Sequence, residues 1–148
     1  MASLNKNIPG RVLALDIGTV RIGAAVSDPN RIIAQGLGVW NAETWLNDLD
    51  DCIKKFDPSL IVVGLPLRTD GKNSATTEKI LNIFEELKTK YPQKNFVTHD
   101  ERFTTVIAQR TLLEADISRK KRKKSVDKIA AVLILQNYLE GLHNHDQL

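Results

Sequence analysis

The sequence has very little cysteine, no long hydrophobic run and no internal repeat. Its one cysteine, Cys52, excludes an internal disulfide and fits a reducing compartment. No stretch reaches the ~20 apolar residues that a membrane-spanning helix needs, and residues 1–7 form no apolar signal region. We therefore expect a cytoplasmic protein without membrane contact, in which Cys52 serves as a small buried hydrophobic residue.

The size and composition indicate one globular domain. The chain has 148 residues, of which 42% are hydrophobic and 26% charged, enough to build a core without disulfide bonds. We expect a single domain over residues 1–148, with flexible tails at 1–10 and 143–148. The net charge is +3, yet residues 119–124 are all basic, so the remainder is slightly acidic and the chain has one basic zone.

The hydrophobic pattern predicts an α/β fold. Three strands, at 11–17, 21–27 and 31–40, should form an antiparallel meander. Helical and strand patterns then alternate, with helices at 43–55, 74–90, 105–115 and 125–142 and strands at 60–65 and 95–99. Right-handed crossovers make the later strands parallel. The expected architecture is a mixed five-stranded sheet, in the order βββαβαβαα, flanked by helices.

Acidic residues stand where predicted elements begin or end. Asp16 is at the end of the first strand, Asp100 and Glu101 follow the fifth, and Asp127 is in the first turn of the last helix, with Ser125 as its N-cap. Ligands of open α/β sheets bind beyond the carboxyl ends of the strands. If the fourth strand lies between the first and fifth, these acids approach one another. Carboxylates that converge hold Mg²⁺, and metal ions drive phosphodiester cleavage.

Each of these acids also has a purely structural explanation. Asp16 precedes Gly18 and is suited to accepting turn N–H groups. Asp127 complements a helix dipole. Asp100 and Glu101 are suited to pairing with Arg102 on the surface. Only the coincidence of all these positions in one chain favours a catalytic site.

Basic residues next to the acids indicate a polyanionic partner. Phosphate contacts position a nucleic acid without reading its sequence. The alternative is a solvated loop, the common fate of charge runs. His99, just before the second acidic position, is expected to be a packed or capping histidine. The candidate nucleic-acid-binding residues are Arg102, Arg119, Lys120, Lys121, Arg122, Lys123 and Lys124.

Four motifs, in order over about residues 11–140, resemble the RuvX/YqgF family, a branch of the ribonuclease H-like fold. They are Leu15-Asp16-Ile17-Gly18 followed by Arg21-Ile22-Gly23; Ile61-Val62-Val63-Gly64-Leu65-Pro66-Leu67; Asp100-Glu101-Arg102 followed by Thr104-Thr105; and Asp127 followed by Ala130-Ala131 and Ile134-Leu135. The match is looser at 68–77, and the basic run is denser than the family pattern.

The resemblance implies a bacterial-type nuclease that matures the 5′ end of precursor 16S ribosomal RNA. The family is also linked to resolving Holliday junctions. Its catalytic acids map onto Asp16, Glu101 and Asp127, with Asp100 beside them as a further metal ligand. We expect these four residues to hold one or two Mg²⁺ ions, with Mn²⁺ as a substitute, about 3.5–4 Å apart where there are two.

The sequence leaves other functions open. A Holliday-junction resolvase would act on branched DNA as a homodimer, whereas an RNA-trimming enzyme works as a monomer. A non-catalytic ribosome-assembly factor would keep the same fold and bind RNA without cutting it. The segment 16–19 also resembles the first phosphate loop of sugar kinases and actin-like ATPases, but this chain is too short for their two lobes.

Overall fold

The computed structural model describes residues 10–67, 70–101 and 119–146, with the backbone alone for 119–128 and 144–146. The five strands are β1 (Val12–Ile17), β2 (Arg21–Ser27), β3 (Ala34–Asn41), β4 (Leu60–Leu65) and β5 (Asn95–Asp100). The helices in these ranges are α1 (Trp45–Phe56), α2 (Ala75–Lys90) and α3 (Arg119–Asp146). The helix predicted at 105–115 lies outside the described residues.

The strands form one mixed sheet in the order β3-β2-β1-β4-β5. The first three strands are an antiparallel meander, and β4 and β5 join β1 in parallel. The fourth strand therefore lies between the first and fifth, which is the condition under which the acids were expected to approach one another. Because β1, β4 and β5 run in the same direction, they end at one side of the sheet, which we call the carboxyl edge.

Each face of the sheet has its own hydrophobic core. Side chains alternate along a strand, so Leu13 and Leu15 face α1 and α2, while Val12 and Ala14 face α3. On the first face α1 contributes Leu49 and Cys52, while on the second α3 contributes Ala131, Ile134, Leu135 and Leu139. α3 therefore covers the face from which Asp16 is expected to project.

Two core predictions for α1 had different outcomes. Cys52 is buried as predicted, and burial raises the pKa of its thiol to about 11. The helical spacing of Leu46, Leu49 and Ile53 in the sequence predicts that all three face inward, but Leu46 is 40% exposed. Trp45 takes the inward position instead, because it precedes Leu49 by one helical turn.

α3 begins six residues before the predicted start. Its first turn contains Arg119, and Ser125, predicted as the N-cap, lies inside the helix. Lysine and arginine are good helix formers, and neither Gly nor Pro interrupts 119–125. The basic run is thus helical along its backbone and not the loop that charge runs commonly form. At its other end α3 continues to Asp146, into a segment expected to be a tail.

The third strand begins later than predicted, at Ala34, because residues 28–33 form a closed turn. The carboxylate of Asp28 accepts hydrogen bonds from the backbone N–H groups of Ile32 and Ile33, at 2.8 and 2.7 Å. Arg31 has a left-handed backbone conformation, with φ of 60°. Its guanidinium donates to the carbonyl oxygen of Gly10 at 2.9 Å. This turn lies at the end of the sheet opposite the carboxyl edge.

Within residues 10–67, 70–101 and 119–146, no helix is long and apolar enough to cross a membrane.

Candidate active site at the carboxyl edge

Asp16 lies one residue before the end of β1, half-buried, and pairs in register with Gly23 of β2. Val12 and Ala14 share its face of the strand and pack against α3. Asp16 is therefore at the carboxyl edge, where the sequence predicts it, and on the face of the sheet that α3 covers.

Glu101 follows β5 directly and is buried, with 2% of its surface exposed. Its backbone N–H donates to the carbonyl oxygen of Leu65 at 3.2 Å and extends the pairing of β5 with β4. A Cβ placed on Gly64 would lie 3.3 Å from the carboxyl carbon of Glu101 and 2.6 Å from Cδ1 of Ile134. The carboxylate of Glu101 therefore lies over Gly64, between β4 and α3.

The structure brings Asp16 and Glu101 to the same edge and the same face of the sheet. Leu15 of β1 is in register with Val63 of β4, so the next residues along, Asp16 and Gly64, are also neighbours across the two strands. The Glu101 carboxylate lies over that glycine. Two acids 85 positions apart in the sequence thus converge where the parallel strands end.

Asp100 has a different position from Glu101. It is in register with Leu65, whose side chain belongs to the core beneath α1 and α2. Its neighbour His99 contacts α3, and Glu101 also lies toward α3. Strand alternation therefore assigns Asp100 to the α1 and α2 face, away from Asp16. The register makes it a weaker candidate for a shared metal site than Glu101.

Asp127 belongs to the described backbone of α3, seven residues before Ile134. Seven residues are almost two helical turns, so both positions fall on one helix face, separated by roughly 10 Å along the axis. Among the side chains that the structure describes, no group of three or more His, Cys, Asp or Glu could hold a metal ion. The side chain of Asp127 is not among the described side chains, so it was not included in that statement.

The basic residues predicted to bind nucleic acid are described in part. Residues 119–124 form the first turns of α3, and Arg102 lies outside the described residues. At the other end of α3, His143 contacts the carbonyl oxygen of Arg31 at 2.9 Å, beside the turn opposite the carboxyl edge. Ile134, nine residues earlier in α3, packs at Gly64. The helix therefore runs from the carboxyl edge toward that turn, and its N-terminal basic turns lie on the side of the carboxyl edge.

His99 is a packed histidine, as expected. Its Nε2 and Oδ1 of Asn137 are 2.6 Å apart, and its ring meets that of Tyr138 edge-on at 5.8 Å. Burial raises the pKa of Tyr138. This contact joins the end of β5 to α3 and fixes the two elements that flank Glu101.

Sequence reasoning missed two residues that shape this site, Gly64 and Asn137. A glycine inside the apolar run 60–65 was the available signal for Gly64, since such a glycine often marks a close approach of another group. Gln136 and Asn137 interrupt an otherwise apolar stretch of α3, and a polar residue on a packed helix signals a polar partner on the facing strand.

The mixed sheet, its strand order and the helices on both faces define an α/β domain of the ribonuclease H-like class. Two solved structures of RuvC from Thermus thermophilus share this fold. One has a TM-score of 0.54 at 11% identity, covering 90% of this chain and 96% of that one. The other, in complex with a Holliday junction substrate, has a TM-score of 0.51 at 11% identity, covering 84% and 91%.

The chain belongs to the RuvX family, whose model, described as Holliday junction resolvase, matches residues 10–141. A relative from Dictyoglomus turgidum is 50% identical over 137 residues, which is 89% of this chain and 95% of that protein. One from Staphylococcus aureus is 42% identical over 138 residues, covering 90% and 97%. Both carry the name "Putative pre-16S rRNA nuclease".

Proposed function

We propose that this protein is a metal-dependent nuclease that processes the 5′ end of precursor 16S ribosomal RNA. The observation that carries the proposal is the convergence of Asp16 and Glu101 on the α3 face of the carboxyl edge. The substrate in this proposal is taken from the names of the relatives. Proteins similar to this one over almost the whole chain are described as nucleases of that RNA.

The residues at this edge fit a divalent metal ion. Carboxylate oxygens are hard ligands of the kind that Mg²⁺ and Mn²⁺ prefer. Asp16 and Glu101 would hold the ion, with Asp127 as the third ligand and Asp100 as a flanking carboxylate acting through water. Bound there, the ion would activate a water and stabilise negative charge on the phosphate. Gly64 supports this arrangement because its lack of a side chain leaves room for the carboxylate of Glu101.

The basic turns of α3 would hold the nucleic acid beside these acids. The residues proposed for phosphate contacts are Arg102, Arg119, Lys120, Lys121, Arg122, Lys123 and Lys124. Six basic residues in the first two turns of one helix would give the affinity a steep salt dependence. Reversing the charges at 119–124 should weaken binding and flatten that dependence. A salt slope equal to that of the wild type would contradict this role.

The decisive experiment compares the wild type with Asp16→Asn on labelled precursor 16S ribosomal RNA and on a four-way DNA junction. Reactions contain Mg²⁺, Mn²⁺ or a chelator. Asp51→Asn is the matched control, because it removes an exposed carboxylate of α1. We expect metal-dependent cutting of the RNA that is lost in Asp16→Asn and kept in Asp51→Asn. Cutting that survives Asp16→Asn would overturn the proposal.

A second candidate is resolution of Holliday junctions, which the description of the family favours. Preferential cutting of the four-way junction by a homodimer would support it, whereas a monomer that cuts the RNA would support the first proposal. Intact RNA binding without any cutting would support a non-catalytic ribosome-assembly factor. Each of these roles places the protein in the cytoplasm.

A further inference from the structure

Arg21, the first residue of β2, lies at the carboxyl edge on the same face of the sheet as Asp16. In β2, Ile22 packs in the core beneath α1 and α2, whereas Ala25 packs in the core beneath α3. Side chains alternate along a strand, so Arg21 shares the face of Ala25. Arg21 is half-buried. A positive charge of β2 is therefore on the face that carries the candidate active site.

The register of β1 and β2 places Arg21 beside Asp16. Gly23 is directly opposite Asp16 and has no side chain, so the next side chain of β2 on this face toward the carboxyl edge is that of Arg21. Diagonal neighbours of this kind are about 7–8 Å apart, within reach of a long side chain. Because β1 lies between β2 and β4, Arg21 is on the side of Asp16 opposite Glu101, which lies over Gly64 of β4.

The turn between β1 and β2 fixes the backbone of Arg21. The N–H of Gly18 donates to the carbonyl oxygen of Arg21 at 2.9 Å. A Cβ on Gly18 would lie 2.7 Å from that oxygen, so a larger residue would force the turn open. On its other side, Arg21 pairs in register with Asn41 of β3. The side chain of Arg21 therefore starts from a fixed point at the carboxyl edge.

The guanidinium of Arg21 differs from those of the other two arginines whose side chains are described. Arg11 and Arg31 each donate to a backbone carbonyl oxygen, at 3.0 and 2.9 Å, and so join separate parts of the fold. Among the side chains that the structure describes, the guanidinium of Arg21 makes no hydrogen bond or ion pair. The described contacts thus give Arg21 no structural role of that kind.

A guanidinium in this position suits a phosphate group. Its planar set of N–H donors matches two phosphate oxygens at once, which a lysine ammonium does not. With Asp16 and Glu101 holding a divalent ion on the β4 side, Arg21 meets a phosphate at the site from the β2 side. Positive charge placed there stabilises the negative charge that develops on the phosphate as the linkage breaks.

We propose that Arg21 binds the scissile phosphate, on the side of Asp16 opposite Glu101. The inference rests on the proposed nuclease function and adds a residue of β2 to the acids and the basic turns of α3. The guanidinium donates to the non-bridging oxygens of the phosphate, so the contact is independent of base sequence.

The test measures binding of two RNA oligonucleotides that span the cleavage site, mapped first with the wild type. One has a natural phosphate at the scissile position, and the other has an uncharged methylphosphonate there. All proteins carry Asp16→Asn, so that neither RNA is cut. Arg21→Gln and Arg21→Lys are added to this background. The matched control is Lys88→Gln, which removes an exposed positive charge of α2.

We expect Arg21→Gln to weaken binding of the natural RNA about threefold to tenfold and to reduce its salt slope by about one. The methylphosphonate RNA should bind equally well with and without Arg21→Gln, because the charge that Arg21 contacts is missing. Arg21→Lys should recover part of the lost affinity through its charge, and Lys88→Gln should leave both affinities unchanged.

Cleavage measured with Asp16 in place separates this contact from a structural role. Arg21→Gln should lower kcat about 100-fold, the scale of losing one group that stabilises transition-state charge, and should unfold at the same urea concentration as the wild type. Arg31→Gln should do the opposite. It should cut with the wild-type kcat and unfold at lower urea concentration, because its guanidinium holds the turn at the other end of the sheet.

Equal weakening of both RNAs by Arg21→Gln would overturn the proposal, as would a wild-type kcat in a folded Arg21→Gln protein. In either case the nuclease function stands if the wild type cuts the natural RNA. A wild type that does not cut it would reject both proposals together.

Discussion

A Cβ at Gly64 would lie 3.3 Å from the carboxyl carbon of Glu101, so the missing side chain of one residue provides the space for the carboxylate of the other. Contacts between 3.0 and 3.4 Å are tighter than ordinary packing. The same Cβ would meet Cδ1 of Ile134 at 2.6 Å, where something must shift. The position of Glu101 therefore depends on a glycine in the neighbouring strand and on the helix that packs above it.

Gly64→Ala should damage the site more than the fold. Displacing Ile134 and Glu101 is an overpacking change that costs about 1–3 kcal/mol of stability. Moving one metal-binding carboxylate should reduce cleavage by about 100-fold, the scale of losing one group that stabilises transition-state charge. Cleavage rates and urea unfolding of the same protein measure the two effects.

Gly141→Ala is the control for that substitution. Apart from its own stretch of α3, no atom of the described residues lies within 4 Å of a Cβ at Gly141. Alanine there should raise stability by roughly 0.5–1 kcal/mol through helix propensity and leave cleavage unchanged. Wild-type cleavage in a folded Gly64→Ala protein would show that the space over Gly64 has no role in the reaction.

Glu101→Gln and Asp100→Asn should differ sharply although the residues are adjacent. Glu101 lies over Gly64 on the face of Asp16, and the register assigns Asp100 to the other face. We expect Glu101→Gln to reduce metal-dependent cleavage at least about 100-fold. Asp100→Asn should cost less, about tenfold, because Asp100 would act on the ion only through a water. Equal losses in the two variants would place Asp100 among the metal ligands.

The contact between His99 and Asn137 should make the effects of substituting these two residues on the free energy of unfolding non-additive. One hydrogen bond of 2.6 Å joins β5 to α3 at this point. In a double-mutant cycle with His99→Ala and Asn137→Ala, we expect the two free energies of unfolding to couple by about 0.5–1.5 kcal/mol. Urea unfolding of the four proteins measures it. Additive effects would show that the contact contributes nothing beyond packing.

The sequence was sufficient to predict the sheet and the edge of it at which Asp16 and Glu101 lie. Alternating apolar residues place Asp16 on a defined face of β1, and a parallel strand order places it at the same edge as the residues after β5. Both inferences use local periodicity and general rules of topology. They need no knowledge of how individual side chains pack.

Which of Asp100 and Glu101 faces α3 could not be predicted in the same way. It depends on the register between β4 and β5 and on the space left by Gly64, both of which are properties of pairs of distant residues. The early start of α3 had a different cause. A run of like charges usually indicates a loop, yet lysine and arginine favour a helix when neither Gly nor Pro interrupts them.

The turn at residues 28–33 should make stability depend on acid pH. The backbone N–H of Ile33, together with those of Ile32 and Asn30, lowers the pKa of Asp28 from its usual value of 3.8. A carboxyl group whose pKa is lower in the folded state stabilises that state above the unfolded pKa. That contribution is lost as the pH falls through the folded pKa.

Asp28→Asn should therefore unfold at lower urea concentration than the wild type near neutral pH, with the difference shrinking below pH 3.8 as the wild-type carboxyl is protonated. Urea unfolding over a pH series measures this difference. Asp51→Asn serves as the control for removing an exposed carboxylate. A difference between Asp28→Asn and the wild type that stays constant across the series would mean that the charge of Asp28 does not stabilise the turn. No difference at any pH would mean that the amide replaces the carboxylate as an acceptor without loss.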